Sequence, residues 1–265
     1  MKPLIVIYQS GKVGSRTVSE TLKSKKYIVE KFDICHSHFM RSSDLPDSIR
    51  FKEEFNKNNH IKIITLVRDP ISRTISDLFF NSEVINFVKH LKNKKEISDF
   101  IIESISIADK TLKSSGNVGF NKLINHTEYQ DFWFKSEFFK NIGINIYDEN
   151  FDYEQKNIII KKDNIEVLLI RCEELNENGA LNIKRFLDLK DDDDLSLINQ
   201  NITPKNYQNG EMTEYGSLMK NLKFPENLLD HIYYDLNGFF CENFYKDKID
   251  AFKNRWIGKM PNTPE

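Results

Sequence analysis

The first strand of this chain constrains its fold more than any other segment. Leu4-Ile5-Val6-Ile7-Tyr8 is a continuous β-rich run with no polar alternation. A strand wet on one face alternates apolar and polar side chains, so this run fits a strand buried on both faces, as in a parallel sheet. It ends in Gln9-Ser10-Gly11-Lys12-Val13-Gly14, and from Ser15 onward the spacing of Val18 and Leu22 predicts a helix over 15–23.

Alternation of strand and helix continues along the chain. A second strand is expected at 27–32, followed by Cys35-His36-Ser37-His38-Phe39. Ile61–Val67 reads as a third buried strand, running into Arg68-Asp69-Pro70. Asp69 suits the N-cap and Pro70 the first position of a helix whose face is Ile71, Ile75, Leu78 and Phe79. Helices are expected at 96–113, 128–140, 179–189 and 226–256, with strands at 157–162 and 165–171 around a Lys-Asp-Asn turn. The order argues for an α/β class with a mostly parallel central sheet, and no repeat or linker interrupts it.

Composition excludes several function classes. The 38 basic and 40 acidic side chains leave a formal charge of -2, which argues against a partner such as nucleic acid or an anionic bilayer. Three cysteines (Cys35, Cys172, Cys241) form neither a closed disulfide framework nor a CxxC pair. No stretch approaches the roughly 20 apolar residues of a membrane span, and the N-terminus lacks a signal-peptide core, so a cytoplasmic protein is expected. The Asn125 and Asn201 sequons are then chance matches, and the aspartates at 191–194 read as a solvated loop.

The loop after the first strand carries the first chemistry. Main-chain N–H groups of such a loop, together with the N-terminus of the helix behind it, converge on a pocket that favours an anion. Lys12 adds a mobile charge, and Ser15 and Thr17 add hydroxyl donors. The sequence is not that of a nucleoside triphosphatase, because the lysine precedes Val13-Gly14 rather than standing before a magnesium-binding Ser/Thr. A second site is expected where the third strand ends. Arg68 stands at the carboxyl end of a parallel strand, where open α/β sheets bind ligands, and Ser76 lies two turns into the next helix. An arginine fork with a hydroxyl suits a second phosphate.

SGKVGSRT at 10–17, paired with VRDPISRTIS at 67–76, resembles the two cofactor motifs of sulfotransferases that use 3′-phosphoadenosine 5′-phosphosulfate (PAPS). VLLIRCEELN at 167–176 is similar to the family's strand-then-acidic segment, with Cys172 in place of the usual tyrosine. WFKSEFFKNIGINIYD and FYKDKIDAFKNRW resemble bacterial sulfotransferase-like proteins of capsular polysaccharide synthesis. The resemblance implies one sulfotransferase-like domain over 1–265, with a P-loop-like three-layer fold whose central, mostly parallel sheet is flanked by helices. It implies that Ser10, Gly11, Lys12, Val13, Gly14, Ser15, Arg16 and Thr17 cradle the 5′-phosphosulfate, and that Arg68 and Ser76 bind the 3′-phosphate. Lys12 is implied to offset charge on the leaving oxygen. PAPS is the implied co-substrate, with no metal, and the implied partner is a carbohydrate acceptor.

The acceptor hydroxyl needs a base. His38 is the first choice and His36 the second; two apart, they share a face if the strand continues, so periodicity does not separate them. Glu137 is the reserve. Trp133, with Tyr129, Phe132 and Phe134, offers a candidate sugar platform, and Lys205 and Tyr207 lie in a loop placed to close over the nucleotide. Arg73 is divided between the second motif and an ordinary helix surface, while His60, His90, His126 and His231 read as structural. Two other functions compete: a magnesium-dependent nucleotide kinase or NTPase, and a non-catalytic nucleotide- or glycan-binding relative.

Overall fold

The computed structural model describes residues 2–40, 44–78, 127–190, 192–198 and 222–258. The helix expected at 96–113, and Lys205, Tyr207, His90 and His126, lie outside them. The chain divides into two compact units, one formed by residues 1–68 and 131–201, the other by residues 69–130 and 202–265.

The first unit holds a five-stranded sheet: β1 (Leu4–Tyr8), β2 (Asp33–Ser37), β3 (Ile61–Val67), β4 (Asn157–Lys162) and β5 (Ile165–Arg171), in the order β2-β1-β3-β5-β4. β1 pairs in parallel with β2 and β3, β3 pairs in parallel with β5, and β4 is antiparallel at the edge. Helices α1 (Ser15–Ser24), α2 (Lys26–Lys31) and α3 (Pro46–Asn56) connect the first three strands.

Every residue of β1 is buried, because both faces of the sheet are covered. Ile5 and Ile7 point to one side, into a core with Val18 and Leu22 of α1 and with Ile183 and Phe186. Tyr8, one residue on, points to the other side, where its ring meets Trp133 at 4.9 Å, Phe51 of α3 at 5.1 Å and Phe138 at 5.7 Å. Two-sided cover is the physical reason for the unbroken apolar run.

The second strand differs from expectation. Residues 26–31 form a short helix with only Ile28 buried, and the strand begins at Asp33. Its β-branched pair Ile28-Val29 mimicked a strand, whereas β2 itself, Asp-Ile-Cys-His-Ser, has little strand propensity and is held by pairing with β1. The helix of 128–140 is observed as Tyr129–Trp133 and Phe139–Ile142 flanking a π turn, Phe134–Phe138. No helix among the described residues is long and apolar enough to cross a membrane.

In the second unit, α4 (Pro70–Leu78) starts as expected, with Pro70 leading and Asp69 accepting from the Ser72 N–H at 3.0 Å. Asp69 also accepts from Ser72 Oγ, from the Tyr233 hydroxyl at 2.6 Å and from Trp256 Nε1 at 3.2 Å. It is fully buried, so one carboxyl group caps α4 and ties three distant segments together. Removing it loses the cap and strands two buried donors. Asp69→Ala should therefore lower unfolding stability by about 3–5 kcal/mol, read as a lower urea midpoint. A loss of under about 1 kcal/mol would contradict this role.

Candidate functional site

The chain turns from β1 to β2 on one side and then crosses to β3 on the other, so the direction of the sheet reverses between β1 and β3. In open α/β sheets, ligands bind at the carboxyl ends of the strands at such a reversal. The residues there are the Gln9–Gly14 loop and Arg68.

This loop needs left-handed backbone at three positions: Gly11 at φ 85°, Lys12 at φ 60° and Gly14 at φ 88°. Gly14 has a second constraint, since a Cβ there would lie 2.8 Å from Leu175 Cδ1 and 3.1 Å from Cys172 Sγ. Arg68 fixes the loop from the next strand, donating from Nη1 to the Lys12 carbonyl at 2.9 Å. Lys12 and Arg68 are thereby brought together. Val13 is buried in the core, so it anchors the loop by its side chain and leaves only its main chain to the site. Ser15 and Thr17 are buried in the first turn of α1, where N–H groups have no intrahelical acceptor, and Arg16 is exposed. Ser10 Oγ is buried and has no hydrogen-bond partner among the described residues. A buried hydroxyl without a partner is costly; Ser19 and Thr65 carry others, and Ser10 is the one that lies in this loop.

The two histidines do converge on this loop. His36 lies on β2 opposite Ile7, and its Nε2 is 3.1 Å from Ser15 Oγ. His38 follows the strand; its Nδ1 lies 2.9 Å from the Gln9 carbonyl, and the two rings meet edge to face at 5.0 Å. Burial chiefly, then repulsion from His38 and Lys23, pushes His36 down to about 4; Asp47 opposes the shift and Arg16 adds to it. His36 is therefore neutral at pH 7 and a weak proton acceptor.

The expected sugar-platform residue and the reserve base, Glu137, both sit inside the packing. Trp133 is buried, packs on Tyr8 and donates from Nε1 to the His38 carbonyl at 2.9 Å, so it offers no open face to a sugar. Glu137 accepts the Tyr8 hydroxyl at 2.6 Å and the Met40 N–H at 2.7 Å through one oxygen. It stands on the Tyr8 face of the sheet, opposite Ile7, and clamps the π turn to the end of β1. Alternation along β1 turns Tyr8 away from Ile7, and both residues pack against Tyr8 on that side. Phe132 and Phe139 are the exposed phenylalanines of that segment. Ser76 is half-buried on α4 of the second unit. Arg73, nearly fully buried there, lies 4.6 Å over the Tyr129 ring and 3.8 Å from Asp77, rather than on a helix surface.

Two features escaped sequence reading. Gln9 is fully buried and touches both histidines. A cavity of about 370 Å³ opens beside Asn157, whose strand partner Ile170 is next to the carboxyl end of β5. Asn150, Asn157, Asn182, Gln155 and Arg185 line it, together with Glu149, Asp152, Ile158 and Ile159. Asn157 donates to Asn182 at 2.9 Å, and Asn182 donates to the Gln155 carbonyl at 2.8 Å.

Two tests follow from this geometry. Gly14→Ala combines a strained φ with a clash, so it should destabilise by at least about 1 kcal/mol and shift the loop amide resonances. Unchanged stability would contradict the close approach to Leu175. For His36, the unfolded chain takes up a proton near 6.5 that the folded chain resists until about 4. Stability should fall as pH drops through that window and be flat above it, and His36→Gln should remove that part of the fall. Denaturant midpoints across pH 4–7 check this; identical slopes in the two proteins would contradict it.

No curated protein matches the chain in sequence. One family does: residues 107–246, slightly more than half of the chain, match the NKWYS family, described as "Putative capsular polysaccharide synthesis protein". With that share of its length matched, the chain belongs to the NKWYS family of capsular polysaccharide synthesis proteins.

Proposed function

We propose that this protein is a sulfotransferase that moves a sulfuryl group from PAPS to a hydroxyl of a carbohydrate. The observation that carries the reading is the loop at the sheet reversal. It has left-handed backbone at Gly11, Lys12 and Gly14, a buried and unpartnered Ser10 hydroxyl, and Arg68 held against Lys12. A polyanionic nucleotide matches these donors and cations. The motifs at 10–17 and 67–76 support the sulfuryl donor, and the polysaccharide family supports the carbohydrate acceptor.

In this reading the loop N–H groups, Ser10, Ser15 and Thr17 hold the 5′-phosphosulfate, and Arg68 serves the 3′-phosphate. The acceptor oxygen bonds to sulfur as the bond from sulfur to the 5′-phosphate oxygen breaks, and adenosine 3′,5′-bisphosphate leaves with that electron pair. Lys12 offsets the charge that develops on the leaving oxygen, a contribution on the order of 10²–10³ in rate. The hydroxyl proton goes to His38, worth roughly 10²–10⁴. His38 is preferred because His36 is neutral, weakly basic and engaged with Ser15. The cavity at β4, with its amides, carboxylates and Arg185, lies three strands from β1, about 14 Å away by strand spacing, which suits the further units of a polymeric acceptor.

Calorimetry with adenosine 3′,5′-bisphosphate and with ATP·Mg tests the reading. Binding of the bisphosphate should be the tighter and should weaken at least about tenfold in Arg68→Ala, the loss of one charge-assisted contact. Lys12→Ala and His38→Ala should each lower transfer from labelled PAPS to polysaccharide by at least about 10². Preference for ATP·Mg, or full transfer by Lys12→Ala, would overturn it.

A further inference from the structure

Gln9 stands between the loop and the histidines. Its side-chain oxygen accepts the Gly11 N–H, and because a main-chain N–H only donates, this contact fixes which end of the carboxamide is oxygen. The amide nitrogen therefore faces the rings, 3.0 Å from His38 Nδ1 and 3.4 Å from His36 Nε2. The Gln9 main-chain carbonyl lies 2.9 Å from the same His38 Nδ1. One imidazole nitrogen carries either a hydrogen or a lone pair. With a lone pair, Nδ1 accepts from the amide; with a hydrogen, it donates to the carbonyl. The two contacts with Gln9 thus correspond to two tautomers of His38, and only the Nδ1–H form leaves Nε2 able to take a proton.

Both loop donors nearest the rings are already in use on that side. Gly11 N–H holds the Gln9 oxygen, and Ser15 Oγ meets His36 Nε2. An anion seated in the loop competes for both.

We propose that Gln9 couples anion binding in the loop to the tautomer of His38. An anion that takes the Gly11 N–H displaces the Gln9 carboxamide and withdraws its N–H from His38 Nδ1. The main-chain carbonyl is then the partner of that nitrogen, and the ring settles as Nδ1–H with a basic Nε2. The exchange conserves protons: solvent takes one from Nε2 and returns one to Nδ1. The inference rests on the reading of this loop as the donor site and of His38 as the base. Its consequence is order: the acceptor hydroxyl meets an effective base only when the sulfuryl donor is seated. Gln9 is a positioning residue, acting through His38.

The test is histidine ¹⁵N NMR of the full chain at neutral pH, titrated with inorganic phosphate and, separately, with adenosine 3′,5′-bisphosphate. Loop amide shifts report binding, and the His38 ring nitrogens report the tautomer. The expected result is a shift of the His38 population from Nε2–H toward Nδ1–H on binding. In Gln9→Met, which keeps the carbonyl but lacks the amide, His38 should be Nδ1–H with or without phosphate. Gln9→Glu keeps the Gly11 acceptor, lacks the N–H donor and should behave likewise, which covers the case where Gln9→Met fails to fold. Binding with no change at His38, or an Nδ1–H ring already in the ligand-free wild type, would overturn the coupling alone. Loop amides that respond to neither ligand would overturn the donor-site reading and the coupling with it.

Discussion

Burial of β1 on both faces, at the point where the sheet reverses, is the constraint on which the first unit depends. Ile7 and Tyr8 leave the strand in opposite directions, and each organises one side of the site. On the Ile7 side, β2 runs in register and carries His36 opposite Ile7. On the Tyr8 side, the hydroxyl binds Glu137, which also takes the Met40 N–H, and Trp133 donates to the His38 carbonyl. Burial and the Glu137 carboxylate raise the Tyr8 hydroxyl far above its ordinary range, so it remains a proton donor. The loop that leaves β1 is consequently anchored from both sides before it reaches Gly11.

The cations of the site follow from the same arrangement. β3 pairs directly with β1, which puts Arg68 within reach of the Lys12 carbonyl. A net charge of -2 spread over 265 residues gives no hint of this local concentration. At the amino ends of β3 and β5, desolvation raises Glu166, but bonds from Lys161 and Lys62, each at 3.0 Å, outweigh it and hold Glu166 at about 2. Glu166 also meets His60 at 2.9 Å, so these charges are matched by side chains of the fold. The two ends of the strands differ in kind: at the amino ends charges pair with one another, and at the carboxyl ends the loop presents main-chain and hydroxyl groups.

How legible each part was depended on whether its signal was local. β1, β3 and the β4–β5 hairpin are continuous apolar runs with turn residues between them, and the Asp69-Pro70 helix start uses capping chemistry confined to a few residues. β2 was misplaced because its strand state comes from β1 beside it rather than from its own composition. Trp133 and Glu137 were identified by residue type, but which face of the sheet they serve depends on packing against Tyr8. Gln9 reads as an ordinary loop residue, and its part emerges only when β2 brings two imidazoles against it. Asp69 was legible as a cap, yet its bonds to Tyr233 and Trp256 span more than 160 residues and leave no local trace.

The central claim is that the loop between β1 and α1 receives the 5′ end of a 3′-phosphorylated adenine nucleotide. A crystal structure with adenosine 3′,5′-bisphosphate tests it most directly. In that complex the 5′-phosphate should lie over the Gly11–Thr17 main chain, bonded to Ser10 Oγ and near Lys12, with Arg68 on the 3′-phosphate. Nucleotide density elsewhere on the chain, or a loop whose Ser10 hydroxyl stays unpartnered with nucleotide bound, would contradict it.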